Sequence, residues 1–207
     1  MSALAHDAIL MLVIQNPFGL MVYLVELMNE TPPREFRRIY IKATTLAFIV
    51  LFVFMLIGET LLRDVFQVEL PAMKLFGGVI TFAIAYGYIV HGPSSIRLFR
   101  GDITQLAQQV ALPFMVGAGV IWMSMKLGQE YPVGSAAAVI AGELAVTGAM
   151  VLSYHWFYKR AKGPLETAMV KYFAMAMRVN ALLIGAVSIQ MMLSGLHDYI
   201  VSRSWSI

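Results

Sequence analysis

Leu46 to Ile57 is a run of twelve residues without a single polar side chain. It belongs to one of six long apolar stretches, at about 8–28, 41–62, 70–90, 107–127, 134–157 and 178–198. Each approaches the roughly 20 residues that a helix needs to cross a bilayer. Lipid offers no partner to a bare backbone N–H or C=O, so a spanning chain is either helical or a closed barrel. Barrel strands are short and alternate apolar with polar residues, which Leu46 to Ile57 does not. With 59% hydrophobic and 13% charged residues, the chain is too apolar for a soluble fold. The expected fold is therefore all-α: a polytopic membrane protein of six transmembrane helices, forming one membrane domain over residues 1–207.

The charges orient those helices. Arg34, Arg37, Arg38, Lys42, Arg97, Arg100, Lys159, Arg160, Lys162, Lys171 and Arg178 follow the first, third and fifth stretches and make up eleven of the fifteen Lys and Arg residues. The positive-inside rule places them in the cytoplasm and both termini outside, in the inner (plasma) membrane. These basic segments read as orientation signals that also meet lipid headgroups, and no basic and aromatic domain suggests nucleic acid as a partner. Met1 to Asp7 lacks the basic start of a signal peptide, so the first span is expected to remain in place. The stretch 159–177 is expected either to lie along the interface or to extend the last helix inward.

Two of the spans are interrupted. Gln15-Asn16-Pro17-Phe18-Gly19 falls within the first, and Pro113-Phe114 with Gly117-Ala118-Gly119 falls within the fourth. A proline costs about 3 kcal/mol inside a helix and a glycine about 1 relative to alanine. A break in lipid persists only where other groups satisfy the freed backbone. Pro17-Phe18 and Pro113-Phe114 lie 96 residues apart, while Lys74 and Arg178, which open the third and sixth spans, lie 104 apart. Three spans followed by three spans would make two inverted repeats, about 8–90 and 107–198, with broken first and fourth helices. That architecture is found in secondary transporters, where half-helix ends meet near the midplane and hold substrate. The alternative for either motif taken singly is a proline kink with small residues for close packing.

These motifs resemble the MarC family of inner-membrane proteins, which includes the SnatA-type small neutral amino acid transporters. Asn16-Pro17-Phe18-Gly19 is similar to the first half of the family's N-P-x-G-N-x-P, and Leu70-Pro71-Ala72-Met73-Lys74-Leu75-Phe76-Gly77-Gly78 to its L-P-A-x-[KR]-x-x-G-G. Pro113 and Gly117-Ala118-Gly119 are similar to P-x-x-x-G-P-G, and Arg178, Ser188-Ile189-Gln190 and Gly195 to its last motif. Leu20-Met21-Val22 departs from the second half of the first motif, and Ala118 stands where the family has proline. The resemblance implies a carrier of small neutral amino acids such as glycine or alanine, working by alternating access as an exporter or with a coupling ion.

The expected substrate site is Asn16, Pro17, Phe18, Gly19, Gly117, Ala118 and Gly119, with Asn16 orienting the solute and the glycines admitting it to the main chain. Gln15 and Glu143 are candidate coupling residues for H+ or Na+. Glu143, the acid deepest in a span, has structural pairing as its other reading. Asn180 and Gln190 read as interhelical hydrogen-bond partners. With no cysteine, and with Asp7, Asp64, Asp102 and Asp198 and all four histidines at or beyond span ends, no catalytic residues, resident cofactor or metal site are expected. The chain is therefore not expected to be an enzyme, and its partners are a small amino acid and the lipid bilayer. The rival readings are a non-transporting membrane scaffold and a carrier of another small zwitterionic metabolite.

Overall fold

The computed structural model describes residues 2–91, 102–160 and 163–204, so Arg97, Arg100, Lys162 and Trp205 lie outside the described residues. These residues form eight helices: α1 (Ala3–Gln15), α2 (Pro17–Glu30), α3 (Pro33–Thr60), α4 (Leu70–Val90), α5 (Ile103–Val110), α6 (Ala118–Glu130), α7 (Val133–Arg160) and α8 (Pro164–Ser204). Wider π-helical turns follow α3 at Leu61–Val65 and α5 at Ala111–Met115. The described secondary structure is entirely helical.

Among the described residues, five stretches are long and apolar enough to cross a membrane: Ala3–Glu30, Pro33–Val65, Leu70–Val90, Val133–Arg160 and Thr167–Val201. The interrupted fourth span expected at 107–127 is two short helices, α5 of 8 residues and α6 of 13, and is not among these five. Leu112 leaves helical geometry between them (φ −117°, ψ 119°), which turns the chain before Pro113. The residue before a proline is driven out of the helical region by the proline ring, and here that local rule interrupts an apolar run. From Pro164 to Met177 the stretch extends the last helix, since α8 continues unbroken for 41 residues, roughly 60 Å at the rise of an α-helix.

Burial divides the helices into an inner and an outer set. Along α2, Leu20, Met21, Val22, Tyr23, Leu24, Leu27 and Met28 are buried on nearly every side, and along α6 so are Val120, Trp122, Met123, Met125 and Leu127. The long helices wrap around them and are two-faced. On α3, Ala43, Ala47, Leu51 and Met55 form a buried row four residues apart, while Ile49, Val53, Leu56 and Ile57 face outward. On α7, Ala136, Ile140, Leu144, Thr147 and Val151 are buried. An apolar outer face is stable only against lipid, so these faces mark where the bilayer lies.

The turns leading into α3 and α7 repeat one another a hundred residues apart. The Thr31 amide donates to Leu27 and the Tyr131 amide to Leu127. Pro32 O accepts from Glu35 and Phe36, just as Pro132 O accepts from Ser135 and Ala136. Both α3 and α7 are 28 residues long.

The helix pair with the most extensive contact is α4 with α8. A Cβ at Gly78 would stand 2.8 Å from Ser188 O, and one at Gly195 would stand 3.0 Å from Pro71 O. Apolar surface gains little by leaving lipid for protein, so such pairs rest on close van der Waals contact between small residues. The pair is further tied by Lys74 Nζ to Asp198 Oδ2 at 2.8 Å. Gly78→Val should therefore separate α4 from α8, costing about 1–3 kcal/mol by overpacking. It should lower the unfolding temperature in detergent by several degrees, while Gly142→Ala, with nothing within 4 Å of its Cβ position, should leave it unchanged. Equal unfolding temperatures for the two variants would show that the glycine contact carries no stability.

Candidate functional site

The first break is a one-residue reversal at Asn16. Its φ of 53° and ψ of 71° lie in the left-handed region, which ends α1 and starts α2. Asparagine is among the few residues that tolerate this conformation, and Pro17 follows at the first helical position, where its missing N–H costs nothing. The backbone is well satisfied: Asn16 N donates to Val13 O at 3.2 Å, and Leu20 N donates to Asn16 O at 3.0 Å. The Asn16 side-chain oxygen accepts from the Gly19 amide at 3.0 Å, capping α2.

A second asparagine locks this arrangement from α8. Asn180 Nδ2 donates to Asn16 Oδ1 at 3.0 Å and to Val13 O at 3.3 Å, so it bridges both sides of the break. Asn16 Nδ2 is buried without a partner. The interhelical reading of Asn180 thus corresponds to a contact with the first motif itself. Gln190 lies exposed on α8.

The second break is built differently. Val116 N donates to Ala111 O at 2.9 Å, closing the π turn, and Gly117 is extended (φ −90°, ψ 163°). Gly117 caps α6 with no side chain, so the first intrahelical donor is Ile121 N, to Gly117 O. The amides of Ala118, Gly119 and Val120 therefore have no intrahelical acceptor, and the helix presents its positive end there.

That uncapped end opens on a cavity of about 40 Å³. Gln15 from the first break lines it, as do Gly117, Ala118 and Gly119 from the second, with Thr81 of α4 and Ile184 of α8. The two interrupted segments, about a hundred residues apart in sequence, thus share one small space. Asn16, Pro17, Phe18 and Gly19 do not line it. Asn16 is engaged with Gly19 and Asn180, Pro17 is buried at the start of α2, and the Phe18 ring sits 6.4 Å from that of Phe173. Of the expected site, the structure brings together Gln15, Gly117, Ala118 and Gly119. Thr81 was not singled out beforehand, because one threonine in an apolar helix carries no motif.

Glu143 is buried on α7, where it accepts from Thr147 Oγ1 at 3.0 Å and from the Gln15 side-chain amide. Gln15 therefore touches the cavity on one side and the buried acid on the other. Glu143 itself lies behind Gln15 and does not line the cavity.

Asp7 lies near the start of the first span, as the sequence places it, but it is 3% exposed within α1. Its carboxylate accepts from Lys126 Nζ at 2.7 Å and from Tyr131 Oη at 2.9 Å, fastening the start of α1 to the end of α6. Partial burial first, then the hydrogen bond to Asp7, push the Tyr131 phenol above its ordinary pKa. His155 is likewise buried, with its ring stacked 4.4 Å from that of Phe36.

Removing the cap at the first break should be costly. Asn16→Ala deprives the Gly19 amide of its acceptor and the Asn180 amide of one of its two, so stability should fall by about 1–2 kcal/mol, the usual cost of a lost cap. Asn180→Ala should cost less, since the cap on Gly19 survives. Denaturant unfolding in micelles, with exposed Asn29→Ala as the reference, measures the order. A loss no larger than that of the reference would mean that the break holds itself.

The MarC family, described as MarC family integral membrane protein, matches residues 1–200. The chain is similar to the UPF0056 membrane protein of Pyrococcus horikoshii, 25% identical over 190 residues that cover 91% of each chain. It is similar also to UPF0056 membrane protein YvbG of Bacillus subtilis, 25% identical over 206 residues and 94% of each chain. UPF0056 inner membrane protein YhgN of Escherichia coli is 27% identical over 154 residues, 73% of this chain and 77% of that one. No solved structure matches. With a family match over nearly its whole length and five helices able to cross a membrane, the chain belongs to the MarC family of integral membrane proteins.

Proposed function

We propose that this protein is a secondary transporter of small neutral amino acids such as glycine or alanine, of the SnatA type, in the inner membrane with both termini outside the cytoplasm. The observation that carries this reading is the convergence of both helix breaks on one small buried cavity. A soluble-side enzyme or a rigid scaffold has no need of an uncapped helix end inside an apolar bundle, whereas a carrier uses one to replace the water around a substrate carboxylate.

In this reading the amides of Ala118, Gly119 and Val120 receive the carboxylate. The Gln15 amide oxygen and the Thr81 hydroxyl take the ammonium, both being acceptors within the lining. A cavity of about 40 Å³ holds about one to three waters and is smaller than glycine, so the helices around it must part to admit the solute. Asn16 acts one step back, holding the break open through Gly19 and Asn180. Gly119 sets the size limit: a Cβ there would lie 2.6 Å from Thr81 Oγ1 and 3.1 Å from Ile14 Cγ2.

The same reading takes the matching turns before α3 and α7 as marks of two inverted three-span repeats, the fourth span being α5 and α6 together. Alternating access is then a rocking of one triplet against the other. The Asp7–Lys126 pair would close the side that carries the termini. Glu143 is the coupling group: its carboxylate is buried beside Gln15, so taking up a proton or cation there changes what the Gln15 amide must satisfy.

Gradient-driven uptake of radiolabelled glycine and alanine into proteoliposomes should be measurable for the wild type. It should fall at least tenfold in Gly119→Ala while leaving Gly134→Ala unaffected. Folded wild type without uptake or counterflow of any small neutral amino acid would defeat the proposal.

Glu143→Gln separates coupling from binding. It should abolish uptake driven by an imposed proton or sodium gradient while retaining exchange of internal for external substrate. Unchanged pH and sodium dependence would remove Glu143 from the mechanism and leave it a structural partner of Thr147 and Gln15.

A further inference from the structure

At the end of the molecule away from Asp7, a groove of about 920 Å³ separates the start of α3 from the end of α7. Four cations line it: Arg34 and Arg37, three residues apart on the same face of α3, and Lys159 and Arg160 from the last turn of α7. None of the four forms an ion pair among the described residues. The acids nearest in sequence to α3's start, Glu30 and Glu35, do not line the groove.

The helix dipole accounts for Lys159 and Arg160 at a C-terminus, and chain orientation accounts for basic residues in this region. Neither explains why cations from two helices converge on one concavity. Like charges at such separations repel, and the repulsion grows where apolar surface lowers the local dielectric. Two further features show that the groove is built for a ligand. The Arg160 guanidinium is held 3.7 Å over the Trp156 ring, which fixes its position. His155, buried against Phe36, also lines the groove, and its Nε2 has no hydrogen-bond partner.

We propose that this groove binds the phosphate of an anionic phospholipid headgroup. Arginine forks match phosphate oxygens in paired hydrogen bonds, and basic pockets between membrane helices suit such headgroups. The lining favours a lipid over a free anion. Leu152, two turns before Lys159, continues the groove as apolar surface, and the exposed Trp156 ring, with Phe157 edge-on against it, lines its side, as an acyl chain and interfacial glycerol require.

The test is native mass spectrometry of the full chain released from detergent. The probes are phosphatidylglycerol and phosphatidylcholine of identical acyl chains, with inorganic phosphate as competitor. Wild type should retain phosphatidylglycerol at least tenfold over phosphatidylcholine, and millimolar phosphate should not displace it. Arg34→Gln with Arg160→Gln should erase the preference, while Lys42→Gln, an exposed cation outside the groove, should keep it. If the double variant does not fold, Arg34→Gln alone should show a smaller loss in the same direction. Equal retention of both lipids by wild type, a preference that survives the groove variants, or a preference lost in Lys42→Gln would overturn the assignment. Displacement by phosphate would overturn the lipid as ligand in favour of a soluble anion.

Discussion

An interrupted helix in a bilayer must find partners for every backbone group it frees, and at Asn16 a single side chain begins that accounting. Its oxygen serves the Gly19 amide and receives the Asn180 amide, while Asn180 also reaches Val13 O across the break. The last helix is thereby pinned to the first near the middle of the fold. From this point α1 runs to the Asp7–Lys126 pair and α2 runs to the turn at Thr31 and Pro32. The half-helices α2 and α6 are consequently innermost, and the long helices α3, α4, α7 and α8 close around them.

The two breaks have the same origin and different chemistry. At the first, proline and a capping asparagine leave α2 self-sufficient. At the second, glycine supplies no cap, so the amides that open α6 remain for something else. A bundle that seals one helix end and leaves its counterpart unsealed beside a cavity has turned the free backbone donors of α6 toward that cavity. Gln15 is the only first-break residue on that cavity, and its contact with Glu143 gives a buried acid a route of influence on the lining without touching it.

Much of this was legible as sequence. The apolar runs specified helices, and Asn16-Pro17 and Gly117-Ala118-Gly119 marked the interruptions, because proline and glycine act on the backbone locally, whatever surrounds them. The hidden parts were those that depend on distant residues. The burial and pairing of Asp7 were hidden because its partners lie 119 and 124 positions away. Asn16 looked like a ligand-binding amide because nothing in its neighbourhood foretells Asn180. Thr81 was invisible, since its role comes only from the segment it faces. The break in the fourth span was expected, but that the chain leaves helical geometry at Leu112 was not, because hydropathy counts side chains and not φ and ψ.

The sequence by itself determined that the chain is a helical membrane protein, where its helices break, and which family it belongs to. The first two follow from short-range rules, the length of an apolar run against the thickness of a bilayer, the ring of proline and the missing Cβ of glycine, while the family rests on a match along nearly the whole chain. Only the tertiary structure decided that both breaks share one cavity, that Asn16 supports it from behind, and that Arg34 and Arg160 line one groove. Those facts depend on how helices remote in sequence pack, and packing is set by complementary shapes and hydrogen-bond partners that no local stretch contains.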